Sequence, residues 1–503
     1  MKPRALCIVV VAATLTAGSL GSGCAGGGEG APSVGPVSDA TVDVTADRTA
    51  DRSSARGDAD IDRDDGDSTA PEPWEIEGLF AAVNPGNTLS CYVFWTTPVP
   101  ASTALDVDCG EGTATILGDG LRMDHEVFVM GLYPEAGCVF TARSEDGDGV
   151  AAEAETAFSV PSRPEALPPL ELLVDGGEVV QPGWTLFNLT NKYEQSPPIA
   201  AVVDAVGRYR WYHVRATSAT GSGTPVSRVS QGILIGGSND GGITWPALVD
   251  WEGRLLWEEA LAMHHEILLE AQGEELLYLG TTTECPDGIP DSGTIVRYAP
   301  GTDEVLWKWV FCEHFTPAEA KTDWDHTNAL VPFPGEDAFL LSAKTLNGLF
   351  KIDVGTGEVL WRLGKGGDFV RVDGETTIPF LRQHAPEFLG EDEILLFDNG
   401  KDTVREKSGA VQLRFDEEAM TYEVTWSWYP DPPIFCHMWG DADRLGNGNT
   451  LMTFGRRNEE NDSHLIEVTM DGDEVWHLKT PVKWGWYRAD RIDPLPAGYV
   501  ITE

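Results

Sequence analysis

Short runs of Val, Leu, Ile, Tyr and Trp, each closed by a turn rich in Gly and Asp, follow one another along the chain, as in EILLF at 393–397 and TLMTF at 450–454. Apolar runs of this length between such turns predict β-strands. Almost nothing shows the period of a long amphipathic helix, so the expected fold class is all-β. One pattern recurs six times: a turn, then a short apolar run ending on Trp, at 204–211, 250–257, 301–307, 353–361, 418–426 and 471–476. The spacings from Trp211 through Trp257, Trp307, Trp361 and Trp426 to Trp476 are 46, 50, 54, 65 and 50 residues. That period suits a four-stranded propeller blade. Six copies predict a six-bladed β-propeller over 171–503, with the tryptophans as packing residues between blades.

Upstream of four of these tryptophans, a histidine opens the blade: His265, His326, His384 and His437, spaced 61, 58 and 53 residues apart. Each stands at the entrance to the first strand, which in a propeller lies nearest the central channel. Rotation about the axis would therefore gather them into a ring. Taken singly, a histidine at a strand entrance is more often a turn or hydrogen-bonding residue; four at equivalent repeat positions point to a functional centre. His264 competes with its neighbour His265 for this place, and the sequence does not choose between them. His437 reads as a channel-lining or structural residue.

The remaining segments are set by composition. Residues 1–24 read as a bacterial lipoprotein signal: Lys2 and Arg4, an apolar run, then small residues leading to Cys24, the lipidated position. Simple secretion is the alternative. Residues 25–74, with the acidic run DADIDRDDGD, have few large apolar residues and predict a disordered linker. Residues 75–160 alternate apolar and polar positions and predict a small β-sandwich resembling a fibronectin type III module. A Pro-rich spacer at 161–170 follows. The formal charge of −46 argues against binding nucleic acid or an anionic membrane by the general surface, so membrane contact is expected through a lipid anchor only. Export permits disulfides. Cys285 with Cys312 is the preferred pair, flanking one blade's outer loop, and none of the cysteines has the short paired spacing of a zinc site.

A second pattern overlies the first. Asp323-Trp324-Asp325-His326-Thr327-Asn328, Ser342-Ala343-Lys344, the segment GEVLWRLG at 357–364, Gln383-His384-Ala385-Pro386 and Phe397-Asp398-Asn399-Gly400 together resemble the bacterial aryl-sulfate sulfotransferase family. The resemblance implies a six-bladed propeller that moves a sulfuryl group from an aryl sulfate to a phenol, without a nucleotide donor or other cofactor, through a sulfated histidine. It implies His384 as nucleophile, His326 and Asn328 as contacts to the sulfuryl oxygens, and His265 in proton transfer. It places Lys344 where the family usually has Arg, so a compact charge replaces a planar fork. The implied partners are a small aryl sulfate and a phenol. Phe397-Asp398-Asn399-Gly400 also reads as a tight turn at a strand end, since Asn-Gly favours positive φ.

Two other classes fit the same residues. A catalytically silent surface protein would use the channel to hold an anionic ligand, and a histidine-based metal centre would use the ring to bind a transition ion. The acceptor, the donor and the oligomeric state are not legible in the sequence.

Overall fold

Strands dominate the computed structural model, which describes residues 72–501 apart from 192–197, 216–224, 238–241, 271–272, residue 287, 318–320 and 457–460. The expected signal with Cys24, and the linker as far as residue 71, lie outside the described residues.

The first module is built on alternation. In Cys91–Asp108, the side chains of Cys91, Val93, Trp95, Leu105 and Val107 are buried while Tyr92 and Phe94 are not. Its pairing with Thr113–Val129 slips on either side of Ala101, close to Pro98 and Pro100, which cannot donate to a strand ladder. The start of Cys91–Asp108 pairs with Glu77–Val83, and its end pairs with Gly137–Glu145, which in turn carries Ala151–Ser159. The block expected to form a fibronectin-like sandwich is thus joined into one continuous antiparallel sheet, because the long strands run on through their register slips. Its sixth strand, Gly498–Val500, comes from the far end of the chain and pairs with Val127–Val129. The Pro-rich spacer is packed: Leu167 is wholly buried, and the Tyr209 hydroxyl donates to the Pro168 carbonyl at 2.8 Å.

Between these ends, among the described residues, lie six small sheets, each built on an antiparallel meander. Four have all their meander strands consecutive in sequence. They span Val226–Val229 to Leu255–Glu258, Met263–Glu270 to Glu304–Val310, Thr327–Pro332 to Val359–Gly364, and His384–Phe388 to Thr421–Trp428. A fifth runs from Asp441–Arg444 to Glu474–Lys479 and gains Glu171–Asp175 on its edge. The sixth joins Trp184–Asn191, Ile199–Val203 and Tyr209–Val214 to the late strands Trp484–Gly485 and Ala489–Ile492. Early and late residues thus close the set twice.

The repeated tryptophans sit on the last meander strand of their sheets, and each follows a slip in register at the same place. The slips fall opposite Val202/Val203, Leu248/Val249, Arg297/Tyr298, Lys351/Ile352, Gln412/Leu413 and Glu467/Val468. A bulge there inserts one residue and increases the local twist, turning the indole toward a neighbour. Three of the indoles donate to the next sheet: Trp211 to Trp251 O at 2.9 Å, Trp426 to Met470 O at 3.0 Å, and Trp476 to Ala205 O at 2.6 Å. The first strands Met263–Glu270, Thr327–Pro332, His384–Phe388 and Asp441–Arg444 touch one another in succession. That succession brings the histidines together.

Candidate active site

The inner strands are irregular where the histidines lie. His265 (φ 60°) and His326 (φ 44°) have left-handed backbones, as does Ala385 (φ 44°) after His384. Register slips occur at Met263/Ile267, Thr327/Ala329 and His384/Glu387. A β-strand alternates its side chains strictly, so aiming several histidines into one space requires such breaks. Positive φ in residues other than Gly costs on the order of 1 kcal/mol or more each and concentrates at functional sites.

His384 is buried at 1% exposure. Its Nδ1 lies 2.6 Å from Asn399 Oδ1 and 3.2 Å from the Arg382 carbonyl. Asn399 uses its amide nitrogen to donate to the carbonyls of Cys436 and Trp439, at 2.8 and 2.7 Å. Its Oδ1 must therefore accept, which puts the His384 proton on Nδ1 and the lone pair on Nε2. Burial, then the charge of Lys344, hold the imidazole well below its ordinary value of 6.5, while the Asn399 hydrogen bond pulls the other way. His384 is thus a neutral imidazole in one tautomer. The turn that carries Asn399 is anchored by Asp398, which accepts from Leu381 N, Gly400 N and the Tyr429 hydroxyl and pairs with Arg405.

His326 lies nearer the surface. Its Nδ1 donates to Asp323 at 2.8 Å and its Nε2 lies 3.4 Å from Lys344 Nζ. Against partial desolvation, the hydrogen bond from His326 and the charge of Lys344 hold the Asp323 carboxyl below the usual carboxylate range. The backbone fixes the pair too, because Lys344 N donates to the His326 carbonyl at 3.0 Å. His265 packs edge-on to His326 with ring centroids 5.0 Å apart, and to Tyr487 at 6.0 Å. Burial, then the neighbouring His264, His326, His384 and Lys344, keep His265 neutral.

His264 and His265 prove to be partners: their Nδ1 atoms are 2.8 Å apart, and His264 Nε2 faces the Gly280 carbonyl at 3.0 Å. His265 packs against His326; His264 orients it from behind. Asn328 is wholly buried and donates to the Gln383 carbonyl at 2.7 Å, tying the His326 strand to the residue before His384. His437 is half-buried in the segment between Cys436 and Trp439, whose carbonyls hold Asn399.

Asp323, Tyr487 and Arg488 complete the site without having been singled out from the sequence. Arg488 donates to the Asn328 carbonyl at 3.3 Å and pairs with Glu266 at 2.8 Å. Asp323 has a readable signal, an acid three residues before a repeat histidine. Tyr487 and Arg488 have none, since they lie in the link between the late strands Trp484–Gly485 and Ala489–Ile492. Cys285 is bonded to Cys312, and a second disulfide joins Cys109 to Cys138, leaving Cys91 and Cys436 as buried thiols. Among the described residues, the one set of His, Cys, Asp or Glu side chains close enough to share a metal ion is Asp441, Asp443 and Asp490, not the histidines.

Comparison with curated proteins gives no match. Among solved structures, the chain is similar to the periplasmic gluconolactonase PpgL of Pseudomonas aeruginosa at 11% identity, over 78% of this chain and 99% of that one, with a TM-score of 0.37. It is also similar to the β-propeller domain of Cps50 (Swd1) from Myceliophteria thermophila at 11% identity, over 61% and 89%, with a TM-score of 0.34. Neither likeness bears on function. The family model of the arylsulfotransferases (ASST) matches residues 180–483, which hold the whole histidine cluster, and the chain belongs to that family.

Proposed function

We propose that the six small sheets are the blades of a six-bladed propeller, and that its channel transfers a sulfuryl group from an aryl sulfate to a phenol through a sulfated His384. The observation that carries this reading is the fixed tautomer of a neutral, buried His384, with its Nε2 lone pair available. Sulfuryl transfer resembles phosphoryl transfer, in which positioning and charge stabilisation supply most of the catalysis.

In the first half-reaction, Nε2 attacks sulfur as the aryl oxygen–sulfur bond breaks, and the phenolate departs with the electron pair. The new imidazolium keeps its Nδ1 proton, which the Asn399 oxygen stabilises. Lys344 offers positive charge to the sulfuryl oxygens as negative charge spreads over them. His326, entering as an imidazolium held by the Asp323 carboxylate, delivers its Nε2 proton to the leaving phenolate; in the second half the same nitrogen takes the proton of the acceptor phenol, whose oxygen bonds to sulfur as the bond from sulfur to His384 Nε2 breaks. His265, kept neutral by its surroundings and donating through Nδ1 to His264, lines the site with an Nε2 lone pair that accepts a hydrogen bond from the acceptor phenol. The two disulfides support the export expected from the leader, since such bonds persist in oxidising compartments.

Incubation with a chromogenic aryl sulfate and a phenol tests this reading. Phenol-dependent release of chromophore is expected, together with a sulfated peptide containing His384 when the phenol is omitted. Both are expected to vanish in His384→Ala. Release that persists unchanged in that variant rejects the mechanism.

A further inference from the structure

Strands beside those of the histidines carry carboxylates that the proposed reaction does not use. Asp441 and Asp443 lie on Asp441–Arg444, and Asp490 lies on Ala489–Ile492 of the adjoining sheet. One oxygen from each lies within 4.8 Å of the other two. Asp441 is buried, and Asp443 Oδ2 is sealed from solvent without a hydrogen-bond partner. A buried, unpartnered carboxylate oxygen is costly and calls for a bound proton or cation.

The local cations are committed elsewhere. Arg488 pairs with Glu266 and Arg491 with Glu467, each at 2.8 Å, while Arg444 donates to Gln412 at 2.8 Å and to the Gly448 carbonyl at 3.1 Å. Among the described residues, no ion pair joins any of the three aspartates to a basic side chain. Beside them is a cavity of about 260 Å³ whose lining includes Asp443, Asp490 and Glu387 together with the committed Arg444 and Arg491. Glu387 accepts from Arg444 N at 2.9 Å through one oxygen, which leaves the other. Burial pushes all three aspartates up, Asp490 to about 6 against the pull of Arg488.

We propose that Asp441, Asp443 and Asp490 form a site for a hard divalent cation of the calcium class, with Glu387 and water from the cavity completing the coordination. The donors are all oxygen, which excludes a preference for soft metals. Calcium accepts about 6–8 oxygens in adjustable geometry, whereas magnesium demands near-ideal octahedra that two independent strands do not provide. The ion cancels repulsion between the Asp441–Arg444 sheet and the sheet completed by Ala489–Ile492. It holds the assembly together where late strands return, and it takes no part in group transfer.

The test is calorimetric titration of the chelator-stripped full chain with calcium chloride and then magnesium chloride, alongside thermal melting. One saturable calcium site per chain and a higher melting temperature with calcium are expected, with magnesium weaker. Asp443→Asn and the double variant Asp443→Asn/Asp490→Asn are expected to lose both effects, while melting without calcium no lower than the stripped wild type, because the substitutions remove like charges. Absence of saturable calcium binding in the wild type overturns the proposal whether or not the variants fold. So does calcium stabilisation that survives in the double variant, which assigns the effect to the general acidic surface.

Discussion

At the scale of single residues, the site is a set of imidazoles whose protonation is fixed by what stands behind each ring. Asn399 acts on His384 without touching the reacting atoms. Replacing it with Ala frees the ring to turn and is expected to lower kcat about 10–100-fold with little change in KM. Asn399→Asp places a carboxylate there, which favours the imidazolium and raises the His384 pKa. The acid limb of its kcat profile is therefore expected to move to higher pH than that of the wild type, whose limb lies below 6.5 because burial and Lys344 depress His384. A merely structural role for Asn399 would not move the profile. Lys344→Ala removes the charge beside His326 that the proposed reaction directs at the sulfuryl oxygens, and is expected to cost about 10²–10³ in kcat, the loss typical of one donor to developing charge. Stability follows the same groups. His384 and His265 are neutral when folded and take up protons at about pH 6.5 when unfolded. Their contribution is complete above pH 6.5 and is lost as pH falls toward their depressed folded values. Urea melts at pH 7.5 and 5.5 measure it.

At the scale of elements, the repeat was legible because a strand sequence shows its period plainly. The turn before each Trp strand and the His before each first strand recur in order, so the six Trp strands and the convergence of His265, His326 and His384 could be read from spacing. The register slips could not, since a bulge depends on which strand lies opposite, and it is those slips that aim the histidines. Asn399 shows the same limit: the FDNG string announces a turn, but only the folded loop at Cys436 and Trp439 reveals which of its atoms is left for His384. The bond between Cys285 and Cys312 closes 27 residues of chain around the Glu304–Val310 strand. Its reduction, read by denaturant melts of Cys285→Ser/Cys312→Ser, is expected to cost about 3–4 kcal/mol from loop entropy alone.

At the scale of the whole molecule, the boundary drawn from composition after residue 160 is softer than it looked. Leu89, Val93 and Trp95 of the first module share a core with Phe187, Tyr209 and Trp476 of the small sheets. The Tyr92 and Tyr499 hydroxyls both donate to Glu252, each at 2.6 Å. A chain lacking residues 75–160 exposes that core and is expected to be insoluble or to melt early, as circular dichroism and light scattering would show. Sequence gave no sign of this union, because alternation within a strand says which face is buried but not what covers it.

Strand 498–500 pairs with a segment ending at residue 129. As the chain emerges, the opening module therefore has a vacancy in its hydrogen-bonded edge that is filled only when the more than three hundred residues between Ser159 and Gly498 have followed. Vectorial, piece-by-piece maturation cannot finish such a molecule. An uncompleted edge of this kind invites pairing between nascent copies, so the route to the native state should depend more on concentration and holding chaperones than the compactness of the product suggests.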